Sequence, residues 1–254
     1  MSNAAAVART IVKRAIERTL VGSGLARLHR RRMRDRVLIL AYHNVVDDES
    51  IPAGDLANHL PLSSFRFQLD VLRSTVEVVS LAEAFEERDA AHRRQRVVIT
   101  FDDAYRGAVL LAVPELVDRS MPATIFVAPE RLGDQQFWWD SLAAPGAGLD
   151  PELRDHALGP LRGRQELVLH WASGTGRHHS VLPAELHSCT VDELGRAARA
   201  PGITLGSHSW SHANLARLDD ASLADELGRS LEWVGTNRKS RKVRRVAPAG
   251  RRTC

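Results

Sequence analysis

Short apolar runs alternate along this chain with stretches in which apolar residues recur at helical spacing. The first run is Arg36-Val37-Leu38-Ile39-Leu40-Ala41-Tyr42-His43, continuous enough to predict a buried parallel strand. Residues 44–61 turn to Asp, Pro, Gly and Asn and read as a loop. Ser63 or Ser64 can then cap a helix that carries Phe65, Leu69 and Leu72 on one side. A short strand follows at 76–79 and a helix at 81–88. The next apolar run, Arg96-Val97-Val98-Ile99-Thr100-Phe101, stops at the carboxylate pair Asp102-Asp103. A helix over 108–119 and a strand over 122–127 complete a strand, helix, strand order, which predicts βαβ units and a parallel sheet or barrel.

Residues 133–190 break this rhythm with Gly/Pro-rich loops and helical pieces near 151–171, and read as an insertion between two barrel elements. Phe137-Trp138-Trp139 within it offers either a platform for sugar rings or, the commoner use of such clusters, a small local core. Regularity resumes at Thr190, which caps a helix with Glu193 at the reciprocal position. Ile203-Thr204-Leu205-Gly206 makes a strand, Ser207-His208-Ser209-Trp210-Ser211-His212 follows at its carboxyl end, and a last helix runs from about Asp219 to Val234. The pattern divides the chain into a basic amphipathic segment at 1–36, an α/β domain at 37–235 and a basic tail at 236–254.

Composition changes this picture in one respect. The 254 residues are 44% hydrophobic and 26% charged, ordinary for a globular chain, with a formal net charge of +4 and a pI near 9.6. The basic residues sit at the ends: 1–36 holds ten Lys/Arg against two acids, and 236–254 holds eight against none. Together the ends carry +16, which leaves −12 for 37–235, so the high pI describes the tails. No nucleic-acid partner is expected, because the basic residues come without a reading motif or interleaved aromatics. Val7, Ile11, Val12, Ala15, Ile16 and Leu20 form a helical stripe between basic residues, either a helix packed on the domain or one lying on an anionic membrane surface. Arg9, Lys13, Arg14 and Arg18 interrupt any signal-peptide core, so a cytoplasmic chain, with membrane-peripheral contact as an option, is expected. Cys189 and Cys254 are too far apart in sequence, and too few, to suggest a disulfide framework or a cysteine metal site.

The candidate chemistry lies at strand ends, where ligands collect in parallel α/β folds. Two adjacent carboxylates repel each other, and a cation on one relieves the repulsion while leaving the other free as a base. His208 and His212 are four apart, so a single helical turn would place both imidazoles on one side, the spacing with which two histidines grip an ion. An Asp-His-His set without cysteines has the composition of an open, catalytic metal site.

Thr100-Phe101-Asp102-Asp103-Ala104-Tyr105 resembles the T-F-D-D-G-Y signature of the polysaccharide deacetylases (the NodB homology domain), and Ser207-His208-Ser209-Trp210-Ser211-His212 resembles their H-[ST]-x-x-H signature, in family order. Segments 122–127 and 214–218 also look like those that follow the two signatures. The resemblance implies a distorted, incomplete (β/α)7-type barrel and a metal-dependent hydrolase that removes N-acetyl groups from an amino sugar in a polysaccharide or oligosaccharide. It further implies a divalent metal on Asp103, His208 and His212, with Zn²⁺ first and Co²⁺ or Mn²⁺ as alternatives, and Asp102 as the base. Tyr42-His43-Asn44-Val45 resembles the Y-H-x-V segment of a permuted branch of the family, which nominates His43 as the general acid. Two departures stand out. Ala104 replaces the usual Gly, a strain if that position needs positive φ. Val246-Ala247-Pro248-Ala249-Gly250 is a poor echo of a later family segment, so the end of the barrel is expected to be missing, and a degenerate relative that binds carbohydrate or metal without turnover is the alternative reading.

Overall fold

Every residue from Arg96 to Phe101 is buried, and this run becomes the centre of the sheet. The computed structural model describes residues 36–86, 94–146, 148–177 and 179–237. The amphipathic segment at 5–20 and the basic tail from 238 onward lie outside the described residues.

In chain order the elements are β1 (Val37–Tyr42), β2 (Asn44–Val46), β3 (His59–Pro61), α1 (Leu62–Thr75), β4 (Glu77–Val78), α2 (Leu81–Glu86) and β5 (Arg96–Phe101). A π-helical turn (Ala108–Ala112) then leads into α3 (Val113–Asp118), followed by β6 (Ala123–Val127), α4 (Trp138–Ser141), α5 (Pro151–Leu158), α6 (Gln165–Gly174), α7 (Val191–Ala197), β7 (Ile203–Ser207) and α8 (Asp220–Asn237). The main sheet is wholly parallel. β5 pairs with β1 along its full length, with β4 at its first two residues and with β6 at its last three, and β7 continues on β6. Among the described residues the sheet stays open, so the α/β fold takes the incomplete form that the sequence suggests.

Two local expectations change. The segment read as a loop at 44–61 contains β2 and β3, which pair in parallel as a separate two-stranded ribbon. Three-residue strands are too short to leave a periodic pattern, and Asn44 Oδ1, which accepts from the Ala108 N–H at 3.0 Å, ties β2 to the π-helical turn. β1 is parallel as expected but not buried: Leu38 and Ile39, on opposite faces, are 46% and 51% exposed, and none of the described residues pairs with its outer edge.

The helices form where the pattern predicts them, but neither Ser63 nor Ser64 caps α1: it begins at Leu62 after Pro61, without a side-chain cap from the N-cap residue, and the Ser63 N–H is taken by the Asp48 carboxylate at 3.1 Å instead. Phe65 and Leu69 of α1 are fully buried, each contributing about 1.5–3 kcal/mol by removal from water. Thr190 and Glu193 form the reciprocal capping box at the start of α7. Phe137, Trp138 and Trp139 are buried to 1%, 3% and 8% exposure, so the cluster is core and presents no open ring face to a sugar.

Candidate metal centre and active site

Parallel strands deliver their carboxyl ends to one rim of the sheet, and the sequence-selected residues gather there. Asp102 and Asp103 follow β5, His208 and His212 follow β7, and His43 links β1 to β2. The Asp102 N–H donates to the Tyr42 carbonyl at 2.9 Å and the His208 N–H to the Val127 carbonyl at 2.9 Å, extending the strand pairing into the site.

Asp103 is 3% exposed and turns its carboxylate toward both histidines. Oδ1 lies 3.0 Å from His212 Nε2 and 3.3 Å from His208 Nε2, in neither case with hydrogen-bonding geometry, so this buried oxygen has no hydrogen-bond partner among the described residues. One ligand atom from each of Asp103, His208 and His212 lies within 4.8 Å of the other two. Three lone-pair donors converging on one point, one of them an orphaned anionic oxygen, fit a divalent cation.

The backbone bends sharply to achieve this. Asp103 (φ 69°) and Ala104 (φ 52°) are both left-handed, as are Ser209 and His212 (each φ 63°). Ala104 thus occupies a turn that favours glycine, at a cost of about 1–2 kcal/mol, and it is fully buried. Left-handed, non-glycine residues concentrated at one place are characteristic of functional sites that the surrounding structure holds in place.

Electrostatics separates the two carboxylates. Burial pushes the Asp103 carboxyl upward, but the imidazoles of His212 and His208 more than offset this and hold it well below the usual carboxylate range. Asp102, half-buried, shifts the other way: burial and the Asp103 charge raise it, against the opposing pull of His208, His43 and His212. One carboxylate is therefore favoured as the anion facing the histidines, and its neighbour holds a proton more readily than an ordinary aspartate. Burial lowers the His212 imidazole, but its contact with Asp103 dominates and raises it.

One supporting residue gave no clear sequence signal. Glu226 of α8 is buried, and its carboxylate accepts hydrogen bonds from the Trp210 and Ser211 amides, both at 2.8 Å, and from the Ser211 hydroxyl. It clamps the turn that carries His208 and His212. The only hint was an acid, four residues before Ser230, on the face of the helix that packs inward. Ser230 hydrogen-bonds Ser207 at 2.8 Å.

With the geometry in view, comparison with known proteins is decisive at the family level. The family model for polysaccharide deacetylase matches residues 89–253, more than half of the chain. The chain belongs to the polysaccharide deacetylase family. Solved structures with a similar fold include the deacetylase PplD from Streptococcus pyogenes in complex with acetate, at 14% identity and TM-score 0.48 over 80% of this chain and 69% of that one. IcaB from Ammonifex degensii is 16% identical, TM-score 0.49, over 79% and 69%. The BpsB deacetylase domain from Bordetella bronchiseptica is 15% identical, TM-score 0.45, over 80% and 76%. No curated protein matches the chain. Among the described residues, no helix of this family member is long and apolar enough to cross a membrane.

Proposed function

We propose that this polysaccharide deacetylase family member is a metal-dependent hydrolase that removes N-acetyl groups from an amino sugar in a polysaccharide or oligosaccharide. The observation that carries the reading is the convergence of Asp103 Oδ1, His208 Nε2 and His212 Nε2 beside a second, more basic carboxylate, Asp102.

Asp103, His208 and His212 would hold the cation, with Zn²⁺ the first expectation from a nitrogen-oxygen donor set and Co²⁺ or Mn²⁺ as alternatives. A bound divalent ion supplies Lewis acidity, which polarises the amide carbonyl and makes water acidic enough to be activated near neutral pH. Asp102 is the general base: its raised affinity for a proton suits it to take one from the attacking water. His43, which stands at the same rim on the other side of β5 from β6 and β7, donates a proton to the departing sugar amine. The flanking imidazoles favour the Asp103 anion before a cation binds, and the anion is the form in which a carboxylate would ligate.

Acetate release from N-acetylglucosamine oligomers with added Zn²⁺ or Co²⁺ tests the reading. Asp102→Asn should lower release by at least about 100-fold while the metal is retained, whereas Asp103→Asn should lose both. Binding of metal and oligosaccharide by the parent chain with no acetate release would assign the alternative, a degenerate relative without turnover.

A further inference from the structure

Behind His212 runs a buried hydrogen-bond chain in which every proton can be placed. The Ala108 N–H donates to Asn44 Oδ1 at 3.0 Å, which fixes that amide so that Nδ2 is the donor. Nδ2 reaches the Glu185 carbonyl at 3.0 Å and His59 Nδ1 at 3.3 Å. His59 Nδ1 is therefore an acceptor, and the ring hydrogen sits on Nε2, which donates to Asp140 Oδ1 at 3.0 Å. The Asp55 N–H donates to the same oxygen at 2.8 Å. From the opposite direction, Trp139 Nε1 donates to the Tyr105 hydroxyl at 2.6 Å, and that hydroxyl donates to Asp140 Oδ2 at 2.5 Å. Asp140 thus accepts from three donors, His59 Nε2, the Asp55 N–H and the Tyr105 hydroxyl, and its side chain is completely buried.

The far end of this chain reaches the metal-site residues. The Trp139 indole lies against the His212 imidazole, centroids 4.8 Å apart and planes at 45°. Tyr105 is separated from Asp103 only by the left-handed Ala104. Filling this volume does not require a carboxyl group, since burying a polar side chain costs more than burying an apolar one of equal size unless its hydrogen bonds are made. What the carboxyl oxygens of Asp140 provide is direction: the Tyr105 hydroxyl is aimed at Oδ2 and in turn receives the Trp139 indole N–H.

We propose that Asp140 is a positioning residue for the metal centre, fixing Tyr105 and Trp139 and, through them, Asp103 and His212. The inference rests on the metal-site reading above. Metal ligands are commonly tuned by partners outside the ligand set, and losing such a partner typically costs about 10–100-fold in metal affinity.

Titration of the purified full chain with Co²⁺, read by the visible spectrum of the bound ion, provides the test. Asp140→Asn is expected to weaken Co²⁺ binding by about 10–100-fold and to change the spectrum at saturating metal, a readout of coordination geometry that loss of global stability does not move. Tyr105→Phe and Trp139→Phe keep an aromatic ring in place; the first deletes both hydrogen bonds of the Tyr105 hydroxyl and the second only the bond between Trp139 and Tyr105, so smaller losses of affinity with the same direction of spectral change are expected, the larger of the two for Tyr105→Phe. These two variants decide the matter if Asp140→Asn does not fold. Unchanged affinity and spectrum in both Phe variants would overturn the proposal while leaving the metal site intact. Failure of the parent chain to bind Co²⁺ would instead overturn the metal-site reading, and the positioning role with it.

Discussion

Glu226 and Ser211 are fifteen residues apart, and the carboxylate of the first accepts both the amide and the hydroxyl hydrogen of the second. This contact joins α8 to the turn between the two histidines, so the long terminal helix acts as a brace for the candidate metal centre.

Replacing the brace should therefore affect stability and metal together. Glu226→Ala leaves the Trp210 and Ser211 amides without their acceptor, a loss of about 1–3 kcal/mol that a denaturant melt would read. Metal affinity should fall in the same variant, because the His208–His212 turn loses its tie to α8. An unchanged melt and unchanged Co²⁺ titration would show that the turn holds itself.

The ligand assignment predicts about one divalent ion per purified chain. His208→Ala or His212→Ala should remove most of it, as expected when one of only three protein ligands is lost. Metal analysis of the double variant is the sharpest measurement, and stoichiometric metal retained there would dismiss the assignment.

Proton competition gives a pH dependence with a definite sign. In the metal-free chain Asp103 makes His212 more basic than a free histidine, despite the lowering effect of burial. A histidine must be neutral to ligate. Apparent metal affinity should consequently decline as pH falls through this raised pKa, and the decline should begin nearer neutrality than the ordinary histidine value of about 6.5. Affinity measured from pH 8 downward checks this. A decline beginning only below the ordinary histidine value would contradict it.

Gly107 is required by space rather than by its dihedral angles. A Cβ at this position would lie 2.1 Å from the Val45 carbonyl oxygen and 2.5 Å from Asn44 Oδ1, the oxygen that accepts from Ala108 N–H. Backbone cannot retreat as a flexible side chain can, so Gly107→Ala should separate β2 from the π-helical turn at a cost of about 3 kcal/mol. Thermal denaturation would reveal it; a parent-like melting temperature would mean that the ribbon yields without loss.

The sequence by itself determined much of this protein. Continuous apolar runs at 96–101 and 122–127 can be satisfied only by burial, and they became β5 and β6. The Asp102-Asp103 pair and the four-residue spacing of His208 and His212 pointed to a cation because adjacent carboxylates repel and paired imidazoles can share an ion, but the histidines meet through a turn with left-handed Ser209 and His212 and not through the helical turn that the spacing suggests. Tertiary structure decided what no local pattern encodes. β2 and β3 are too short to show a period, β1 is exposed because burial of its side chains depends on what packs over the sheet faces, and Phe137-Trp138-Trp139 became core by packing against Tyr105 from a distant turn. Glu226 and Asp140 reach the site across 15 and 35 residues through single carboxylates. A buried acid and a solvated one are the same letter, and only the donors that the fold brings around it distinguish them.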